Sequence, residues 1–312
     1  MAIKTEMLRY FIEVAETGNL SKAAERLGRT PSAVSMMLKQ LEENLGAPLF
    51  ETDRKNRLTD LGTFALEEAR REIAHFEQTL SAIHRFAESG EGQVRVACLP
   101  ALSHALMPGI TTRIHEANPK ILVRIRDMLT NASLLAVREQ TVDIGIVNQF
   151  MISGFSNIKS APLLSDVFGI LCLRDSALGR KETLYWSDVA SDTLIVNDLC
   201  YSINDPAVRK AVTDSHINVE SALTIKAFIR AGAGISIVPG LVGTDLEHDL
   251  VFRIPEGPEF RRTAYLVWNE NNHPSPAVTR FCNLLRQTVA DLGLTPTKDD
   301  IGRSRDWPGS IR

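Results

Sequence analysis

The pair Thr30-Pro31 constrains this chain more than any other feature, because it fixes where one helix begins and so orders the elements around it. Threonine is a good N-cap, and proline at the first helical position gives up an N–H that has no intrahelical partner anyway. From there Ala33, Val34, Met37, Leu38, Leu41 and Leu45 form an apolar stripe at helical spacing, and Gly46 stops it. Just upstream, Asn19 or Ser21 can cap a short helix that carries Ala23, Ala24 and Leu27 and closes at Gly28. Before that, Leu8, Phe11, Ile12, Val14 and Ala15 define a first helix ended by Gly18. Two short helices around a tight turn, with small residues at their contact, read as a helix-turn-helix.

Such a pair places the second helix in a DNA major groove, its N-terminal residues nearest the bases. The candidate contacts are Thr30, Pro31, Ser32, Ser35, Met36 and Lys39, with Gln40 on the same polar face. Downstream, Arg54-Lys55-Asn56-Arg57 is a short basic loop before Leu58-Thr59. Alone it reads as a solvated turn. Behind a helix-turn-helix it reads as a wing whose Arg54, Lys55 and Arg57 neutralise phosphates. Net charge does not decide the matter: the chain carries −3, and its first sixty residues hold nine Lys/Arg against nine Asp/Glu.

From Leu61 to Ser89 there is no proline, and Leu66, Ala69, Ile73, Phe76, Leu80, Ile83 and Ala87 follow one another in alternating steps of three and four. That is a heptad seam on a helix ~40 Å long, and it predicts pairing with a second helix. The alternative is a single long helix packed on its own domain. Ser89-Gly90-Glu91-Gly92 then breaks the chain.

Beyond Gly92 strand and helix patterns alternate: strands at 93–98, 121–127 and 143–147, helices at 105–117 and 133–140. This order predicts a parallel sheet with helices on its faces, and ligands of such sheets bind at the carboxyl ends of the strands. The candidates there are Pro100, Ala101, Leu102 and Ser103 after the first strand, and Thr130 and Asn131 after the second. For Ser103, Thr130 and Asn131 a plain helix-capping role is the competing reading. The second half repeats the scheme, with strands at 168–173, 193–196 and 264–268 and helices at 221–230 and 277–292. Its polar loop adds Asn197, Tyr201 and Ser202 as candidates. Gly232 and Gly234 follow a helix and lack a third glycine, so they mark a tight turn rather than a dinucleotide site.

The run Leu8-x-x-Phe11, Ala23-Ala24-x-x-Leu27, Ala33-Val34-Ser35, Leu41-Glu42-x-x-Leu45-Gly46, Pro48-Leu49-Phe50 and Leu58-Thr59-x-x-Gly62 resembles the winged helix-turn-helix of LysR-type transcription regulators. Leu99-Pro100 with Pro108, Asp143-Ile144-Gly145-Ile146 and the 231–239 run resemble that family's effector domain, which looks like a periplasmic binding protein. The resemblance implies an α/β chain with an all-α N-terminal part. Its domains are a DNA-binding head over 1–60, a linker and dimerisation helix with hinge over 61–91, and a two-lobed effector domain over 92–293. The lobes comprise 92–164 with 269–293, and 165–268; residues 294–312, with prolines at 296 and 308 and little apolar content, read from their composition as a loose tail. It implies a homodimer or homotetramer on double-stranded DNA, a small-molecule effector in the interlobe cleft, RNA polymerase as a further partner, and no cofactor. Thr30-Pro31-Ser32 replaces the family's usual Ser-Gln-Pro, Met36 stands where arginine is common, and Ala101 stands where Ser or Thr is common.

Other classes find little support. No G-x-S-x-G, P-loop or complete G-x-G-x-x-G occurs, and His115-Glu116 meets Pro119 where a zinc helix needs its second histidine. Cysteines 98, 172, 200 and 282 are scattered and read as reduced, buried thiols, with a sensor using Cys172 and Cys200 as the alternative. No stretch approaches the ~18 apolar residues of a membrane span. The first residues lack the order of a signal peptide, so the expectation is a cytoplasmic protein. A solute-binding module without DNA function would suit the α/β half alone.

Overall fold

The structure is a computed structural model that describes residues 3–51, 55–89, 92–148, 157–244 and 246–296. The chain divides into two compact units at Ala87/Glu88.

In the N-terminal unit, α1 (Thr5–Thr17), α2 (Leu20–Arg26) and α3 (Pro31–Leu45) surround one core. The start signals work as the residues suggest. Asn19 accepts a hydrogen bond from the Lys22 N–H, and Thr30 from the Ala33 N–H. Gly18 and Gly46 close α1 and α3 in the left-handed region at φ 58° and 75°, which glycine reaches without a Cβ penalty. Ala23 and Ala24 are fully buried, so α2 sits close against its neighbours. Val34, Leu38 and Leu41 of α3 meet Phe11 and Val14 of α1, and Phe11 stands edge-on to Phe50 at 5.7 Å. Met7 and Tyr10 are buried, while Leu8, Ile12 and Ala15 are only partly covered, so the buried stripe of α1 is rotated from the expected one. Leu45 is exposed despite its place in the expected α3 stripe.

An antiparallel bridge between Phe50 and Leu58 forms the base of the wing. Helix α4 (Asp60–Ser89) follows. Its seam does not act as one surface. Ala69 is buried in the head's own core with Leu61, Ala65 and Leu66 packed beside it, whereas Phe76, Leu80 and Ile83 are exposed. Ala69 is therefore corrected from intermolecular seam to intradomain core, since the head covers the first turns of α4, and Leu66 is covered by the head only in part.

The C-terminal unit holds one mixed sheet. Strands β1 (Gln93–Cys98), β2 (Leu122–Asp127) and β3 (Ile144–Asn148) are parallel, linked by α5 (Pro100–Ala117) and α6 (Thr130–Arg138). Next come β4 (Ile158–Leu173), α7 (Ala177–Arg180), β5 (Ile195–Val196), α8 (Pro206–Asp214), β6 (Ile217–Asn218), α9 (Ala222–Arg230), β7 (Ser236–Pro239), β8 (Leu250–Arg253), β9 (Arg261–Asn269) and α10 (Pro276–Asp291). The order across the sheet is β2-β1-β3-β9-β4-β7, with β8 also on β4, and β5 pairs with β6 separately. Within this sheet the expectation of parallel strands holds only for β1–β3; the separate β5–β6 pair is parallel too. Strand β9 runs antiparallel to both β3 and β4, and β4 antiparallel to β7 and β8, because the chain returns from the second lobe instead of crossing over a helix.

Strands β4 and β9 pass through both lobes, paired from Ile158–Asn269 to Val167–Arg261 with a register shift at Pro162, which has no N–H to give the ladder. One core lies under α5 and α10, the other around Phe168, Trp186, Val196 and Ile237. Ala264, Leu266 and Trp268 belong to the first core, so the lobe boundary falls near residue 263 and not at 268/269. Leu294 packs on the same core and its carbonyl accepts the Ser165 N–H at 2.9 Å, so the expected tail does not begin there; residues 297–312 of that tail lie outside the described residues. Gly234, at φ 139°, closes the tight turn read from the glycines: a Cβ there would lie 2.0 Å from the Thr193 carbonyl oxygen.

Candidate DNA interface and ligand cleft

The side of α3 away from the core carries Pro31, Ser32, Ser35, Met36 and Lys39, all exposed. Thr30 stays at the cap, its hydroxyl 3.1 Å from that of Ser32. Lys39 reaches Glu43 at 4.0 Å, a loose surface pair that leaves its ammonium accessible. Just before the helix, Arg29 turns back: its Nε donates to the Tyr10 hydroxyl at 3.0 Å, which raises the guanidinium pKa.

The wing divides. Arg57 is exposed and pairs with Glu51 at 3.0 Å. Lys55, expected as a phosphate contact, turns inward in this chain. Its ammonium is half-buried, 3.2 Å from the Glu42 carboxylate and 5.2 Å from the Phe50 ring centroid. Glu42 also accepts the Leu49 N–H at 2.9 Å, so Lys55 and Glu42 pin the wing's base to α3. Arg54 lies outside the described residues.

In the C-terminal unit, α5 begins five residues earlier than expected, with Pro100 at its first position. Pro100 to Ser103 thus form its first turn, not a loop. Leu102 is fully buried in the core, Pro100 is exposed, and Ala101 packs against the second lobe's cluster of Leu171, Ile195, Val238 and Val242. Thr130 and Asn131 open α6. Neither helix has a side-chain cap: the cap positions are Leu99 and Leu129. The capping reading of Ser103, Thr130 and Asn131 therefore fails, and two helix N-termini stand at the carboxyl ends of β1 and β2 with no side-chain cap on their first-turn amides.

Asn197 is corrected from ligand contact to scaffold. It is buried, donates to the Ile237 carbonyl at 2.8 Å and accepts the Leu199 N–H at 3.1 Å. The Ser202 hydroxyl donates to the Leu199 carbonyl at 2.6 Å, while Tyr201 is exposed.

One pair escaped the sequence reading. Arg262 on β9 and Asp166 on β4 face each other in register and are both buried. An Arg262 terminal nitrogen donates to Asp166 at 3.4 Å, and the same carboxylate oxygen accepts the Leu241 N–H at 2.9 Å. Burial lowers the Arg262 pKa and the Asp166 charge opposes that shift. The Arg262 Nε has no hydrogen-bond partner. No motif signals the pair, because Arg261-Arg262 in the sequence looks like an exposed strand edge.

The four cysteines are buried and unbonded to one another. Desolvation raises every thiol pKa, that of Cys200 to about 11 and of Cys282 to about 12, with Cys98 higher still and Cys172 also raised. Among the described residues no cluster of His, Cys, Asp or Glu could hold a metal ion, and no helix is long and apolar enough to cross a membrane.

Comparison with known proteins bears on both units. The model of the bacterial regulatory helix-turn-helix protein, lysR family, matches residues 5–63, and that of the LysR substrate binding domain matches residues 87–290. The HTH-type transcriptional regulator YbhD of Escherichia coli (strain K12) is 30% identical over 286 residues, covering 89% of each chain. A hydrogen peroxide-inducible genes activator of Pectobacterium carotovorum subsp. carotovorum is 25% identical, over 84% of this chain and 88% of its own. The crystal structure of full-length CbnR complexed with its target DNA superposes with a TM-score of 0.66 at 24% identity, covering 92% of this chain and all of that one (100%). A winged head followed by a two-lobed sheet domain defines a DNA-binding transcription regulator with an effector-binding domain. The chain belongs to the LysR family of such regulators.

Two outcomes follow from the site geometry. Lys55→Ala should lower head stability by ~1–3 kcal/mol, as a half-buried Glu42 loses its partner, and leave the salt dependence of DNA binding unchanged. Arg57→Ala should do the reverse, reducing the slope of log affinity against log salt by about 1. Equal slopes for the two variants in a fluorescence-anisotropy salt titration would remove the distinction. Because every thiol pKa is raised, the thiolate is scarce at pH 7.5, and a maleimide should label no cysteine in the native protein and four in denaturant. Stoichiometric native labelling would show a thiol the fold does not protect.

Proposed function

We propose that this regulator acts as a homodimer or homotetramer, held together through Phe76, Leu80 and Ile83 of α4, with a small anionic or polar effector bound between the lobes of the C-terminal domain. What supports the effector reading is the pair of uncapped helix N-termini at the ends of β1 and β2, where amide donors and the positive helix ends favour negative charge. Pro100, Ala101 and Ser103 line the first of these and Thr130 and Asn131 the second; Ala101 already touches the second lobe, so a ligand at this turn bears on interlobe contacts.

The effector shifts the population of subunit arrangements, and hence the spacing of two heads on a partly palindromic site, by binding one arrangement more tightly. Within the heads, Ser32, Ser35, Met36 and Lys39 read the groove while Arg57 neutralises phosphate. RNA polymerase is the further partner, and the protein works in the cytoplasm with no catalytic step. A thiol-based oxidant response is disfavoured by the four buried cysteines.

The ligand reading is tested by thermal-shift screening of the full-length protein against small organic carboxylates, phosphates and their neutral analogues, repeated on Pro100→Glu. Pro100 is exposed and glutamate is welcome in a first helical turn, so the variant folds while placing a negative charge at the α5 amides. A hit on the wild type that weakens at least about tenfold in Pro100→Glu is the expected outcome, a loss of the size that ~1.4 kcal/mol of repulsion gives. Equal shifts in both proteins would place the effector elsewhere.

A further inference from the structure

Met36 is 68% exposed, more than any other large apolar side chain described in the N-terminal unit. It is not needed for the core, since Val34, Leu38 and Leu41 fill the buried side of α3. Its neighbours on the outward face narrow what it can do. Ser32 lies one turn before it, Ser35 beside it, and Lys39 one turn after. Gln40, half-buried, is already engaged in a further interaction. The side chains best suited to paired hydrogen bonds with purine edges are arginine or lysine, for guanine, and asparagine or glutamine, for adenine. No arginine or asparagine stands on this face; Lys39, held only loosely by Glu43, is free to donate one turn beyond Met36, while Lys55 is committed to Glu42 and Arg29 bonds back to Tyr10.

Between Lys39 and the two serines stands an apolar surface in the middle of a groove-facing helix, with no hydrogen-bonding role open to it. The major groove offers an apolar partner at one place only, the 5-methyl group of thymine. Methionine is unbranched and polarizable and adapts its three rotatable bonds to such a contact. We propose that Met36 is a specificity-determining residue that reads the 5-methyl group of a thymine in each half-site, with Ser32 and Ser35 supplying short, permissive hydrogen bonds beside it. The preference is thus for a methyl group and not for a hydrogen-bonding pattern, so deoxyuridine, which pairs as thymine does, is discriminated against. The proposal rests on the DNA binding of the family, and its failure is separable from a failure of that activity.

The test starts from a site selected out of a randomised double-stranded library by the full-length protein. Each thymine of that site is then replaced in turn by deoxyuridine, and affinities are measured for wild type, Met36→Ala and Met36→Leu. One symmetric thymine position should lose about fourfold on replacement in a single half-site and ~15-fold in both, the effect of uncovering one methyl group per contact. Met36→Ala should bind the thymine and deoxyuridine sites alike, and Met36→Leu should keep the preference. A wild type that selects a site yet ignores every deoxyuridine overturns the proposal and leaves DNA binding standing. A preference that survives in Met36→Ala overturns it too, and assigns the methyl contact to another side chain. Unchanged affinity of Met36→Ala for the thymine site likewise excludes the contact.

Discussion

Helix α4 is 30 residues long, and the head it grows from covers only its first turns. Leu61, Ala65, Leu66 and Ala69 complete the core that α1, α2 and α3 begin, while Phe76, Leu80 and Ile83 continue the same stripe into solvent. An apolar stripe of this length gains by burial against a second helix, each side chain contributing roughly 1.5–3 kcal/mol when fully covered. One periodic pattern therefore serves two tasks in succession: it anchors the wing and recognition helix to a rigid rod, and it offers the rest of that rod to a second copy. In the proposed dimer the position of each recognition helix follows from that rod, because Glu42 and Lys55 tie α3 to the wing and the wing leads into α4.

The C-terminal unit depends on a different continuity. Strands β4 and β9 run through both lobes, so a relative movement of the lobes must twist a shared ladder instead of opening a flexible linker. The buried Asp166–Arg262 pair sits on that ladder, and Asp166 also holds the Leu241 N–H. Removing one partner of such a pair strands a charge and is strongly destabilising, so the pair favours a defined lobe arrangement. Ala101 on α5 abuts the second lobe close to the α5 terminus, which puts the proposed ligand contact and the interlobe packing on the same helix turn.

Much of this architecture was legible because local chemistry declares itself. Asn19, Thr30 and the glycines at 18, 28 and 46 marked helix ends that the structure keeps. Where the reading failed, the missing information was long-range. Periodicity shows that α4 has an apolar stripe but not which partner covers each turn, so it does not distinguish Ala69, buried in the head, from the residues further along. The start of α5 is hard to read because Pro100 suits a loop as well as a first helical position. Alternation identifies strands but not their direction, hence the expected parallel sheet. The wing's Lys55 and the loop's Asn197 looked like exposed polar groups, and only the fold shows each bonded inward. Arg262 carried no signal at all, since its partner is 96 residues away in sequence.

The central claim is that the exposed half of the α4 stripe joins two copies and so sets two heads on one DNA site. Sedimentation equilibrium of the full-length protein beside its Phe76→Glu, Ile83→Glu variant tests it most directly. Both positions are exposed in the single chain, so the variant retains its fold. The account predicts that the wild type sediments as a multiple of the 34.5 kDa chain, two or four copies, and that the variant falls to a smaller assembly. A monomeric wild type, or a variant of unchanged mass, would contradict it.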